Sequence, residues 1–402
     1  MWRLGFFFHE MSFGLLSVFL PLYVVSSVLK GSLFDVGVMF SAGLFTAIPA
    51  SFLWGYLCDK TKHYKHFILL SFSALAVLLY LFSLTTSLYL LIVLYAVMSF
   101  LHAAHEPPKN ILIAEMYSRE DWERSFASYE GFTEVGWLIG LILGFLTSTY
   151  GASQSFTLLL CSALNAVAFG LSLVLVADPL FVFERKLVSI EKSVDFAYRG
   201  ISLASRLFDG IHVSERLKRE NISAFCCGLV LFSLATSILF TPLPIFVSQV
   251  VKSAALPSSL VFAAFVLNSA GGVFGYYAVG RRHDREAEKG SISHVVFLRS
   301  FLSFLLLSTI LVFSRTVSFG LLVGLLVLFG FANAMFVVYV ESLSMELIPA
   351  GKAGLFNVLV GIGSASGSFI GPFIAGQTGT FIFVFIAGGM IFLGAYVFFK
   401  IF

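Results

Sequence analysis

Apolar side chains run through the chain in twelve long stretches, each near the 20 residues that a helix needs to cross a bilayer. They fall at roughly 4–28, 33–57, 67–84, 88–114, 126–149, 154–177, 222–248, 258–279, 293–313, 318–345, 353–376 and 379–400. The pattern is six stretches, a pause, and six more. The pause has a different rhythm, for Leu187, Ile190, Val194, Ala197, Ile201, Ala204, Phe208 and Ile211 recur at three-and-four spacing. Glu191, Lys192, Asp195, Arg199 and Arg206 occupy the other faces, which predicts an amphipathic helix lying on a membrane surface. The expected organisation is an all-α polytopic membrane protein: a six-helix bundle over 1–177, a linker over 178–221 and a second six-helix bundle over 222–402.

The polar residues between the runs orient them. If the first hairpin faces the cytoplasm, Arg3, Lys60, Lys62, Lys65, Lys109, Arg119, Arg124, Arg281, Arg282, Arg285, Lys289, Lys352, Lys400 and the linker share that side. Only Lys30, Lys252 and Arg315 fall opposite. So lopsided a split of basic residues predicts both termini in the cytoplasm. The start of the chain is read as a retained first helix rather than a cleaved leader, since His9 and Glu10 interrupt its apolar run.

The two sets of six are repeats. A shift of 231 positions lays GWLIGLILGF at 136–145 over GSFIGPFIAG at 367–376, pairing Gly136 with Gly367, Gly140 with Gly371 and Glu115 with Glu346. A shift of 220 lays WGYL (54–57) over FGYY (274–277), and LPLY at 20–23 matches LPIF at 243–246. Two homologous halves in parallel orientation suit a carrier whose halves rock about a site at their interface. Small residues at four-residue spacing let helices touch backbone to backbone, so Gly136, Gly140, Gly367 and Gly371 are expected at helix contacts.

Composition agrees. Of 402 residues 58% are hydrophobic and only 12% charged, about half the charged share of a soluble domain. The net charge of +3 sits in the connections and is no nucleic-acid footprint. Cys58, Cys161, Cys226 and Cys227 form no C-x-x-C pair, so no disulfide framework, metal centre or cofactor is expected. GKAG at 351–354 lacks the spacing of a phosphate loop, and His9-Glu10 does not continue as H-E-x-x-H, which argues against an ATP-driven pump or a metalloenzyme.

The hairpin GYLCDKTKHYK, 55–65, joins two runs with a glycine, an aspartate and then basic residues. It resembles the loop between the second and third helices of the major facilitator superfamily. ILIAEMYSREDWERSFASYEG at 111–131 is similar to that family's junction of helices four and five. The resemblance covers the whole chain and implies a secondary transporter working by alternating access. It also implies that Asp59 closes the cytoplasmic side against the eleventh helix, near Lys352, with Gly55, Lys60 and Arg124 in the same gate. Lys62 and His63 stand where the family has glycine and arginine, and Val279 replaces the aspartate in the second copy. A glycine signature of drug/proton antiporters is partial on the fifth run (Gly136, Gly140, Gly144, with Leu141 and Phe145 replacing its proline and last glycine). It is fuller on the eleventh, with Gly367, Gly371, Pro372, Ala375 and Gly376. The antiporters' arginine on the fourth helix is absent, with Val97 in its place.

Four carboxylates lie inside the runs, where a charge needs a reason. At 1.5 Å per residue Glu10 is about 10 Å into the first run, Glu106 about 13 Å from the end of the fourth and Glu134 about 12 Å into the fifth. Glu130 and Glu134 share a face. A carboxylate short of water and crowded by like charges favours its neutral form, so Glu106, Glu134, Glu10 and Glu130 are candidate proton carriers. The alternative is that Glu10 and Glu130 sit in the headgroup layer. His102, which the 231 shift pairs with Asn333, and Tyr23 are candidate substrate contacts. Trp137 and Tyr339 could stack on the same solute. Pro107 and Pro108 break the fourth run beside Glu106. Asn165 and Asn268 read as interhelical glue, and Asp35 and Arg299 as side chains near helix ends.

The expected protein is a monomeric multi-pass carrier of the cytoplasmic membrane, whose partners are a small-molecule substrate, protons and lipid. Efflux of amphipathic compounds is the first subclass. Alternatives are an uptake carrier or uniporter for a metabolite or sugar, and a transporter-like sensor or scaffold. Tags at both termini are expected to be reachable by impermeant label only after the cells are opened, and labelling of either on intact cells would overturn the orientation.

Overall fold

A computed structural model of the chain describes residues 2–116, 122–178, 221–279, 288–311, 315–347 and 353–402. The amphipathic helix expected within 178–221 falls outside the described residues, as does Lys352. The described chain is helical: α1 (Leu4–Val24), α2 (Leu33–Thr61), α3 (Tyr64–Leu84), α4 (Leu88–His102), a 3₁₀ turn (Ala103–His105), α5 (Glu106–Met116), α6 (Trp122–Thr149) and α7 (Gln154–Leu175) come first. Then follow α8 (Ile222–Phe240), α9 (Leu243–Ser253), α10 (Leu260–Val279), α11 (Glu288–Leu311), α12 (Arg315–Leu347), α13 (Ala353–Thr378) and α14 (Ile382–Ile401). Among the described residues 12 spans are long and apolar enough to cross a membrane, α4–α5 and α8–α9 each making one. Large apolar side chains such as Val77, Val174, Phe301 and Val397 stand exposed on them, as expected where the solvent is lipid.

Two spans are broken for visible reasons. Pro107 and Pro108 lack amide hydrogens and cannot continue α4. They sit instead in the first turn of α5, where those hydrogens would have no partner anyway, and the chain crosses the gap as a tight 3₁₀ turn. Pro242 and Pro244 do the same at the start of α9.

The packing repeats between halves. In the first, α1 lies on α6 and α7, α3 on α7, and α2 on α4. In the second, α8 lies on α13 and α14, α11 on α14, and α10 on α12. The halves meet along two seams, α2 on α13 and α6 on α10. On the first seam the hydroxyl of Ser41 donates to the carbonyl of Ala365 at 2.9 Å, and Phe34 meets Phe369 edge-on with centroids 5.7 Å apart.

In lipid, helices gain nothing by hiding apolar surface from one another, so close contact carries the stability. Gly136 and Gly140 of α6 lie against the backbone carbonyls of Phe7 and Met11 on α1, and Gly367 and Gly371 of α13 against those of Leu234 and Ile238 on α8. The glycines paired by the 231 shift thus make the corresponding contact in each half.

The hairpin after α2 is two residues long. Lys62 closes the helix in the left-handed region, φ 57°, a conformation that favours glycine. Asp178, just after α7, accepts from the Lys65 amide at 2.8 Å and so caps the start of α3.

A methyl group at Gly140 or Gly371 would strike a carbonyl, whereas one at Gly324 meets none of the described atoms within 4 Å. Gly140→Ala and Gly371→Ala are expected to destabilise the protein by about 1–3 kcal/mol, read as earlier thermal unfolding in detergent. Gly324→Ala should cause no loss.

Candidate functional site

The densest polar cluster lies inside the first half, where α1, α3, the 3₁₀ turn, α5, α6 and α7 converge. Its charged part is built on the broken span. Lys109 Nζ lies 2.7 Å from Glu106 Oε2 and 3.9 Å from Glu130 Oε1 on α6. The lysine is only 14% exposed, against 32% for Glu106 and 20% for Glu130. Glu10 of α1 shares the electrostatic surroundings of Lys109, Glu106, Glu130 and Glu134. Lys109 therefore answers carboxylates, and it falls inside the fourth candidate span rather than in a connection.

The histidines adjoin it. His9 is fully buried on α1, with its Nδ1 2.8 Å from Asn165 Oδ1 on α7. Asn165 Nδ2 donates to Ser12 Oγ at 2.8 Å and to the carbonyl of Cys161 at 2.9 Å. His105 Nδ1 lies 2.7 Å from the carbonyl of His102, which also accepts from Ser71 Oγ at 3.2 Å. His105 Nε2 is 3.4 Å from Glu106 Oε1. The rings of His9 and His102 stack with centroids 5.1 Å apart, and Phe6, Phe13 and Phe72 close around the trio.

Glu134, one turn beyond Glu130 on α6, looks the other way. Its Oε1 accepts from Ser269 Oγ of α10 at 2.5 Å, across the seam between the halves. Gly272 keeps that approach open, since a Cβ there would come within 3.3 Å of the same oxygen.

The structure thus gathers Glu10, Glu106, Glu130 and His102 into one cluster and puts Glu134 on the seam. It does not bring Asn333 or Tyr23 to the same place. Asn333 Oδ1 accepts from Arg299 Nη1 at 2.5 Å within the second half. Tyr23, near the far end of α1, donates to the carbonyl of Thr85 at 3.2 Å. The reading of Arg299 as a side chain reaching for a helix end is overturned. It is fully buried, with its guanidinium 4.7 Å from the ring centre of Phe232, 5.0 Å from Phe392 and 5.7 Å from Phe240 and Phe329. Four aromatic faces supply the negative potential that water would otherwise provide.

At the hairpin, a Cβ placed on Gly55 meets none of the described atoms within 4 Å, and Lys60 Nζ lies 5.7 Å from the ring centre of Tyr56. The side chains of Asp59 and Arg124 lie outside those described. Sequence reasoning missed His9, Ser269 and Asp178 as members of these networks.

The family model of the Major Facilitator Superfamily matches residues 4–372. A search of curated protein sequences finds no match. Among solved structures the chain is similar to the crystal structure of the nucleoside transporter NupG, with a TM-score of 0.71 at 13% identity over 99% of this chain and 97% of that one. It is also similar to the human organic anion transporter MFSD10 (TETRAN), with a TM-score of 0.67 at 16% identity over 99% and 97%.

Removing the cation should leave two carboxylates uncompensated, and removing Glu106 as well should relieve part of that. Lys109→Met alone is expected to destabilise the protein by about 1–3 kcal/mol. The double variant Lys109→Met/Glu106→Gln should be less destabilised than the sum of the singles, with a coupling of roughly 0.5–3 kcal/mol in a thermal-unfolding cycle. Additive effects would show that the pair contributes nothing.

Proposed function

We propose that this chain, which belongs to the Major Facilitator Superfamily, couples proton movement to the passage of a small polar solute between its two halves. The chain is a multi-pass membrane transporter; the coupling and the solute are the proposal. The observation that carries it is the hydrogen bond from Ser269 to Glu134 across the α6–α10 seam. When two halves rock, a contact at their seam is made in one state and altered in the other. A carboxyl group that keeps a hydroxyl donor in one state and exchanges it for water in the other has two different proton affinities. It takes up a proton on one side and releases it on the other.

Glu106, Glu10 and Glu130 then serve as the polar path and counter-charges on the first half, with Lys109 balancing them. His102 faces the same cluster and is the substrate contact that this reading retains. Asn333 and Tyr23 already have partners, Arg299 and Thr85, and in this reading they support the helices. In orientation, the termini and the hairpin bearing Gly55, Asp59 and Lys60 face the cytoplasm, where with Arg124 they gate that end.

A polar solute suits the cluster better than an apolar one, since Lys109 and the carboxylates offer both signs of charge. The related folds are named for a nucleoside transporter and an organic anion transporter, both of which carry polar solutes. The glycines of α13 pack on the α8 backbone, which accounts for them without a role in the efflux of amphipathic compounds.

The test is transport in proteoliposomes with an imposed pH gradient, using a panel of nucleosides and organic anions to find a solute that accumulates. Glu134→Gln keeps a group that can accept from Ser269 but cannot release a proton. It is expected to lower gradient-driven accumulation at least about tenfold, the effect of roughly 1.4 kcal/mol, while exchange of labelled solute persists. Accumulation surviving in both Glu134→Gln and Glu106→Gln would make the carboxylates structural and the carrier a uniporter or one coupled elsewhere.

A further inference from the structure

Three histidines of the first half, His9 and His105 buried and His102 partly so, have a feature beyond the substrate contact assigned to His102. His9, His102 and His105 each bring a ring nitrogen within 4.8 Å of the other two. We propose that they form a binding site for one divalent transition-metal cation of the zinc class, resident in the first half.

The hydrogen bonds around the rings fix which nitrogens are free. Asn165 uses its Nδ2 hydrogens on Ser12 and Cys161, so its Oδ1 is an acceptor and His9 Nδ1 must donate to it. His9 Nε2 is therefore a bare lone pair, and it is buried with no hydrogen-bond partner among the described residues. A buried acceptor left unmatched costs about 1–3 kcal/mol, so it calls for an occupant. His105 shares half of this logic: its Nδ1 faces a backbone carbonyl, which can only accept, so that nitrogen donates, and Nε2, 3.4 Å from Glu106 Oε1, binds an ion once it has released any proton it shares with that carboxylate. Metal-binding histidines are held in this way, one nitrogen donating to an amide or carbonyl oxygen while the other meets the ion.

Spacing agrees. Two ligand atoms about 2.0–2.1 Å from a tetrahedral ion are separated by about 3.4 Å, so histidine nitrogens that lie within 4.8 Å of one another need to close by no more than about 1.4 Å. Glu106 Oε1, 3.4 Å from His105 Nε2, is the adjacent candidate for the fourth position. Imidazole nitrogens with one carboxylate oxygen suit zinc, cobalt, nickel and copper rather than magnesium or calcium. All the ligands belong to one half, so rocking of the halves would leave the site intact. That marks a resident ion rather than a cargo, and the site does not depend on the transport reading.

The test uses the full chain purified in detergent with a tag free of histidine, stripped by chelator and titrated with Co²⁺, then with Zn²⁺. One cobalt per chain is expected, with the intense visible absorption of a tetrahedral nitrogen–oxygen site, abolished when Zn²⁺ displaces it. Zn²⁺ should also raise the unfolding temperature of the stripped protein. His9→Gln and His102→Phe, the latter keeping the aromatic stack, should each lose the absorption and the thermal shift. Changing His63 and His66, which with Asp178 form a second, exposed cluster, should leave both in place. Absence of a tetrahedral spectrum in the unaltered protein would overturn the proposal even if the variants fail to fold. So would uptake that disappears with His63 and His66 but survives His9→Gln, which would mean surface chelation only.

Discussion

The close contact of α1 on α6 is the constraint from which the first half follows. Phe7 and Met11 lay their carbonyls on Gly136 and Gly140, and in return Gly14 receives the backbone of Trp137. His9 and Glu10 sit between the two glycine contacts, so the register of α1 leaves them no freedom to slide. With α1 so placed, His9 faces α7 and the histidine cluster, while Glu10, the next residue around the helix, shares the surroundings of the carboxylates of α5 and α6. One backbone contact therefore sorts two adjacent polar residues into two networks. In a bilayer no general apolar attraction could set that register, because lipid solvates any helix face equally well.

The break in the fourth span is the second determinant. Pro107 and Pro108 cannot donate to the carbonyls of Ala103 and Ala104 four residues back, and the chain tightens there into a 3₁₀ turn. In that turn the carbonyl of His102 meets Ser71 Oγ and His105 Nδ1, and His105 Nε2 lies near Glu106. The same break starts α5 at Glu106, and one helical turn later comes Lys109, the partner that lets the carboxylate stay in the span. Sequence-local backbone chemistry thus produces both the charged pair and the histidine arrangement.

Much of the fold was legible. Length and apolarity located the spans, since nothing in a soluble protein needs twelve such runs, and the glycines repeating at a shift of 231 marked the helix contacts that recur in the structure. The site was legible only in part. Carboxylates in apolar runs announce themselves by their cost, so Glu10, Glu106, Glu130 and Glu134 could be picked out one by one. Their partners could not: Ser269 and Asn165 are ordinary helix residues until folding sets them opposite Glu134 and His9. Lys109 misled because a lysine near a run's end is usually a surface marker, and only folding set it against Glu106 and Glu130. Arg299 misled for the converse reason, since phenylalanines from α8, α12 and α14 had to converge before a buried guanidinium had surroundings.

The two halves share helix packing but not chemistry. The first holds the titratable cluster of carboxylates, lysine and histidines, and the second holds Arg299 in its aromatic cage with Asn333. Guanidinium keeps its proton under any ordinary condition, so the second half offers a fixed charge where the first offers groups whose charge can change. Glu134 belongs to the changeable half, yet its hydrogen bond reaches the other one. Whatever changes the protonation of the first half can therefore act on the seam only through groups placed as Glu134 is, and motion of the seam can act back on the cluster by the same route. Repeats with matching helix contacts but unequal polar contents make a symmetric scaffold chemically asymmetric.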